Sequence, residues 1–213
     1  MPAPRDPAWW LIVPAKGAPL GKTRLAGSGL DRHRLSRALA LDSIETAAAV
    51  VGPERIVVVS DDPVLRAGAE GLGCHLLADP GAGLNGAIRH AHNWIRSRDH
   101  DDSRAVAVLL GDVPAARPAD LGTALTLAGK HERAFVPDRD GRGTVLLTDR
   151  SGVLEPAFGA GSADRHEQAG YVRLDLDLPR LRTDVDLRAD LDVVAALGCG
   201  RHTRAVLDAT SVS

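Results

Sequence analysis

Short, continuously apolar runs rich in β-branched residues alternate along this chain with longer stretches in which apolar residues recur every three or four positions. Trp9 to Val13 reads as a first buried strand, Arg55 to Val59 as a second, Cys74 to Leu77 as a short third, and Ala105 to Leu110 as a fourth. Between them, Asp31 to Ala49 reads as a helix with Leu35, Ala38, Leu41, Ile44 and Ala48 on one stripe. Pro63 to Gly71 and Ala87 to Ser97 read as two further helices, the latter preceded by a glycine-rich turn, Asp79 to Gly86. A strand that is apolar at every position is covered on both faces, so this alternation predicts a mostly parallel sheet between helices. The second half is mixed, with strands near 134–137, 143–148 and 171–174 and helices near 163–169 and 187–197. The predicted fold class is a three-layer α/β/α, Rossmann-like domain with a mixed C-terminal part.

Length and composition narrow the function classes. The 213 residues suit a single domain, placed at 8–200, with flexible termini at 1–7 and 205–213. The 26 basic and 28 acidic residues leave a net charge of −2, which gives no broad attraction for nucleic acid or an anionic membrane. Aromatics are only 3%, so base stacking on an aromatic platform is not expected. Cys74 and Cys199 form neither a metal spacing nor a disulfide framework, and no stretch is long enough to span a bilayer, so a reduced cytoplasmic protein is expected.

In parallel α/β sheets, ligands bind outside the carboxyl ends of the strands. The first strand runs into Pro14-Ala15-Lys16-Gly17-Ala18-Pro19-Leu20-Gly21-Lys22-Thr23, a glycine-opened loop with ammonium groups, suited to phosphates. It is not a P-loop, because Gly17 and Gly21 are separated by three residues rather than four. The G-x-G-x-x-G dinucleotide fingerprint is absent as well. The second strand ends at Ser60-Asp61-Asp62, and the fourth at Gly111-Asp112-Val113-Pro114. Asp112 is placed to hold a hard cation; a turn aspartate is the plainer alternative. Asp184 and Asp186 lie two apart and face one side of an extended segment, the plainer alternative being an acidic cap of the following helix. Phe158-Gly159-Ala160-Gly161-Ser162 offers backbone amides and a hydroxyl at a helix start, with Ser162 as its cap, and Thr144 adds a hydroxyl on a neighbouring strand. Gly83 and Asn85 open the third helix region, where Asn85 either reads a purine edge or closes a turn. His90 and His92, two apart on a helix, do not share a face and are read as solvent or core histidines.

These segments, in this order and spacing, resemble the guanylyltransferases of coenzyme F-420 biosynthesis, within the small-molecule nucleotidyltransferases. That family acts on phosphoenolpyruvate or 2-phospho-L-lactate, and the similarity covers about residues 9–198. The alanine-, arginine-, glycine- and valine-rich, lysine-poor composition looks actinobacterial, and for actinobacterial members the resemblance implies phosphoenolpyruvate as the acceptor. The resemblance implies that Asp112, Asp184 and Asp186 hold Mg²⁺, with Lys22 and Asp112 catalytic. It implies that Thr144, Gly159 and Ser162 hold the acceptor, and Pro14, Lys16, Lys22, Ser60, Gly83 and Asn85 the nucleotide. GTP and a small phospho-acid are the implied ligands, a homodimer is allowed, and a downstream transferase would receive the product. Alternatives are 3-phosphoglycerate as acceptor, a molybdopterin or sugar-phosphate nucleotidyltransferase, and a non-catalytic GTP-sensing module.

Overall fold

The computed structural model describes residues 8–15, 31–98 and 105–210. The predicted strands are present as β1 (Trp10–Pro14), β2 (Ile56–Val59), β3 (His75–Leu77), β4 (Val106–Leu109), β5 (Arg133–Pro137), β6 (Thr144–Asp149) and β7 (Val172–Arg173). Eight α-helices accompany them among the described residues: α1 (Arg32–Val51), α2 (Pro63–Leu72), α3 (Gly83–Arg98), α4 (Pro118–Ala128), α5 (Ser162–Gln168), α6 (Pro179–Arg182), α7 (Arg188–Leu197) and α8 (Arg201–Thr210). Asp31 caps α1 and Asp62 caps α2, each through a side-chain oxygen that accepts two amides of the first turn.

The seven strands form one sheet in the order β3-β2-β1-β4-β6-β5-β7. β1 to β4 pair in parallel, β6 pairs antiparallel with both β4 and β5, and β7 returns parallel to β5. Only β6 is reversed, which is the mixed character expected of the second half.

Alternate side chains of the apolar strands enter two cores. Leu11, Val13, Ile56, Val58, Ala107 and Leu109 pack with α1, α2 and α4. Ile12, Val57, Val59, Val106 and Val108 pack with Ile88, Ala91 and Ile95 of α3 and Ala163 of α5. Continuous hydrophobicity in these strands is thus the consequence of two covered faces. A third cluster joins Leu35, Ala38 and Leu39 of α1 to Leu191 and Val194 of α7 and Val206 of α8, and it encloses Ala115 and Val185.

Three local features depart from the sequence reading. α3 starts at Gly83 rather than Ala87, so Gly83 and Asn85 lie in its first turn. α8 occupies 201–210, across residues set apart as terminus, and docks on α1. α4 lies where no helix is predicted. His92 is buried in α3 and His90 exposed, as the lack of a shared face requires.

Candidate active site

The sheet order changes direction at β1, with β2 on one side and β4 on the other, which is the topological switch point where α/β sheets bind ligands. Pro14 ends β1 there, and Asp112 follows β4 by three residues. Gly111 must pass close to β1: a side-chain carbon there would come within 3.3 Å of the Pro14 carbonyl oxygen. Ser60, just past β2, is buried, and its hydroxyl accepts from the Asp62 amide at 3.2 Å. Lys16 and Lys22 lie outside the described residues.

Asp112 and Asp184 come from segments far apart in sequence that one main-chain bond joins. The Val185 amide donates to the Asp112 carbonyl at 3.0 Å. Val113, Ala115 and Val185 are all buried, so both carboxylate-bearing segments are pinned by apolar neighbours. Asp184 is half-buried and Asp186 exposed, on either side of Val185. Neither caps α7, because Asp190 does that: its Oδ2 accepts from the amides of Asp186 at 3.0 Å and Leu187 at 2.7 Å. The capping alternative for the pair therefore falls away.

Burial, and then the like charges of Asp112, Asp186 and Asp138, push the Asp184 carboxyl up to about 8. Like charges gathered around a buried carboxyl make a donor set that could hold a hard cation. Asp138 is a member that sequence reasoning missed. Its carboxylate accepts from the amides of Arg142 at 2.9 Å and Gly143 at 2.7 Å in the β5–β6 turn. The Arg182 guanidinium donates to the carbonyls of Pro137, Asp138 and Leu176, which fixes the base of that turn. In sequence, Asp138 falls between the strands read at 134–137 and 143–148, and nothing local marks it as a neighbour of Asp184.

Because β6 is reversed, its first residue lies on the same rim as the end of β4, where the Leu110 amide donates to the Val145 carbonyl at 3.1 Å. Thr144, that first residue, is buried, and its hydroxyl lies 2.9 Å from Nδ1 of His166. Arg165 and His166, both on α5, were also missed. Arg165 donates to the carbonyls of Ala157 and Ala160 and so knits the loop before the helix. Gly159, in that loop, has φ +126, a conformation side-chain-bearing residues rarely adopt. Gly161, not Ser162, is the N-cap of this seven-residue helix; Ser162 is its first helical residue, buried, with its amide donating to the Gly159 carbonyl.

Asn85 joins this loop to α3. Its amide nitrogen donates to the Phe158 carbonyl at 3.1 Å, and its oxygen accepts from the Phe158 amide at 2.8 Å. One donor and one acceptor of Asn85 are therefore committed to protein. The structure thus brings Pro14, Ser60, Asp112, Thr144, Asp184 and Asp186 to loops and strand ends on one rim, with Gly83 and Asn85 tied to Gly159 and Ser162 beside it.

Residues 35–176 match the family described as the MobA-like NTP transferase domain. The chain belongs to this family. It is 44% identical to phosphoenolpyruvate guanylyltransferase of Sanguibacter keddieii, over 94% of this chain and 84% of that protein. It is 43% identical to phosphoenolpyruvate guanylyltransferase of Geodermatophilus obscurus, over 94% of each. In fold it is similar to the crystal structure of 4-diphosphocytidyl-2C-methyl-D-erythritol synthase, with a TM-score of 0.61 at 13% identity over 89% of this chain and 97% of that one. This nucleotidyltransferase accordingly has the three-layer fold expected from its hydrophobic pattern. Among the described residues, no helix is long and apolar enough to cross a membrane.

Proposed function

We propose that this nucleotidyltransferase transfers GMP from GTP to the phosphate of phosphoenolpyruvate, a step of coenzyme F-420 biosynthesis. An anionic oxygen of the acceptor phosphate attacks the α-phosphorus of GTP. A new phosphoanhydride P–O bond forms, the bond to the β-phosphate oxygen breaks, and pyrophosphate leaves. The product is enolpyruvoyl-2-diphospho-5'-guanosine. The nucleophile is already anionic, so no side chain has to remove a proton, and catalysis consists of alignment and charge neutralisation.

The observation that carries this reading is the convergence of Asp112, Asp184 and Asp186, with Asp184 raised by burial and its carboxylate neighbours. All-oxygen anionic donors of this kind fit Mg²⁺, with Asp112, Asp184 and Asp186 holding it. A divalent cation bound there supplies Lewis-acid neutralisation of the phosphate charges. Thr144, Gly159 and Ser162 hold the acceptor. Pro14, Ser60, Gly83, Asn85, Lys16 and Lys22 serve the nucleotide, and Lys22 and Asp112 act at the reacting phosphate. The names of the two relatives favour phosphoenolpyruvate over 2-phospho-L-lactate and 3-phosphoglycerate.

Pyrophosphate release with Mg²⁺ and GTP, measured with each of these three acids and with CTP and ATP as controls, tests the reading. Release confined to GTP with phosphoenolpyruvate supports it; release with another pair reassigns the substrates. Asp112→Asn is expected to lower turnover at least about a hundredfold while the far-ultraviolet spectrum is unchanged, a loss comparable to removing one transition-state donor. Full activity in that variant removes the metal assignment.

A further inference from the structure

We propose that His166 is a positioning residue for the acceptor: through its Nδ1–H it holds the Thr144 hydroxyl as a hydrogen-bond acceptor, leaving the hydroxyl's own hydrogen to an anionic phospho-acid. The acceptor part rests on the guanylyl-transfer reading above.

The protonation pattern follows from the two neighbours of the ring. The Ala157 amide points at Nε2 from 3.0 Å. A backbone N–H can only donate, so Nε2 must present its lone pair, and a neutral imidazole then carries its hydrogen on Nδ1. Nδ1 lies 2.9 Å from the Thr144 hydroxyl oxygen, so the imidazole donates and the hydroxyl accepts. The opposite tautomer, or an imidazolium, would set an N–H against the Ala157 N–H. The surroundings agree: His166 is buried, with the rings of Phe158, Tyr171 and Phe135 centred 5.1, 5.6 and 5.9 Å from its own. Burial, and then the charge of Arg165, lower its pKa to about 4, so it is neutral at pH 7.

Thr144 is itself 3% exposed, and among the described residues no protein acceptor for its hydroxyl hydrogen accompanies the His166 contact. A buried hydroxyl on the ligand rim whose hydrogen has no acceptor among the described residues is suited to a ligand acceptor. An anionic carboxylate or phosphate oxygen is the best partner, because such a bond is charge-assisted. His166 also accepts from Ala157 in the loop that carries Gly159, so one ring sets both the hydroxyl and that loop.

Long-range ¹H–¹⁵N spectra of the imidazoles read the tautomer in the intact protein without turnover. The expected result is protonated Nδ1 and bare Nε2 at pH 7, unchanged at pH 5; hydrogen on Nε2 overturns the proposal. Steady-state kinetics test the role. Gln at 166 can still accept from Ala157 but offers Thr144 no donor at the Nδ1 position, whereas Asn places an NH₂ there. His166→Gln is expected to raise KM for phosphoenolpyruvate about tenfold with KM for GTP unchanged, and His166→Asn to recover most of that loss. Thr144→Val should show the same rise, and adding His166→Gln to it should add nothing, because the imidazole acts through the hydroxyl. Additive penalties, or equal rises in both KM values, overturn the positioning role. A parent protein that releases no pyrophosphate with GTP and any of the phospho-acids overturns the activity reading and the acceptor role with it, while the tautomer is decided by the spectrum alone.

Discussion

Asp184 carries the clearest electrostatic signature in the site. Its folded-state pKa of about 8 lies above the ordinary value of 3.8, so between those pH values the folded metal-free protein keeps a proton that the unfolded chain has released. The stability this proton brings is full below about pH 4 and is lost as pH rises through 8. Asp184→Asn removes the dependence. Without divalent cation, at pH 8, the variant should melt about 2–4 °C above the parent, the shift that about 1 kcal/mol produces in a chain of this size. Thermal scans from pH 5 to 8 in chelator check this; parallel curves for parent and variant would mean that another group carries the titration. A cation held by Asp184, as proposed, would displace the same proton, so Mg²⁺ should raise the parent's melting temperature more at pH 8 than at pH 6. At this scale the sequence was legible for position where a carboxylate follows an apolar strand, as Asp112 follows β4. It was not legible for His166 or Asp138, whose partners Thr144, Ala157 and Asp184 are brought to them only by folding.

Among the elements, α8 shows what hydrophobic periodicity misses. Its sequence, Arg201 to Thr210, is largely polar, and only Thr203 and Val206 are buried. Besides the Val206 contact, docking uses Asp42 of α1, which is buried and accepts from the amides of His202 at 3.0 Å and Thr203 at 2.9 Å. A carboxylate on one helix thus caps the start of another 160 residues away. Asp42→Ala should cost about 1–2 kcal/mol, a melting temperature lower by about 2–8 °C. Glu45→Ala, which removes the pairing with Arg201 and His202 at a partly exposed edge, should cost less than about 1 kcal/mol. Thermal denaturation of the two variants side by side checks the ranking. The late start read for α3 has a related cause. Gly83 and Gly86 are poor helix formers, but the Asn85–Phe158 clamp in its first turn is a tertiary contact that no local pattern reveals.

At the level of the whole molecule, the rim is held by the cores beneath it. Val185 sits between two candidate metal ligands and is fully buried against α1, α7 and α8. Val185→Ala should therefore cost about 1.5–3 kcal/mol of stability and also lower turnover several-fold at temperatures well below melting. Turnover equal to the parent's at 20 °C would show that the carboxylates keep their places without this packing. The layered α/β plan was readable because β1, β2 and β4 are apolar at every position. Mixed pairing in the second half was readable, but which strand is reversed was not, since direction leaves no mark on composition.

That reversed strand affects how the rim can change between related chains. Around β1, β2 and β4 the rim is built from crossover connections, and altering one shifts the helix it leads into. Beside β6 the rim is a hairpin tip, residues 138–143, whose two strands are already registered to each other and whose base Arg182 secures. Such a tip can gain or lose residues without redirecting any helix. The half of the rim proposed for the nucleotide is thus tied to the helices behind it, and the hairpin tip near Thr144 is where the proposed acceptor side has room to vary.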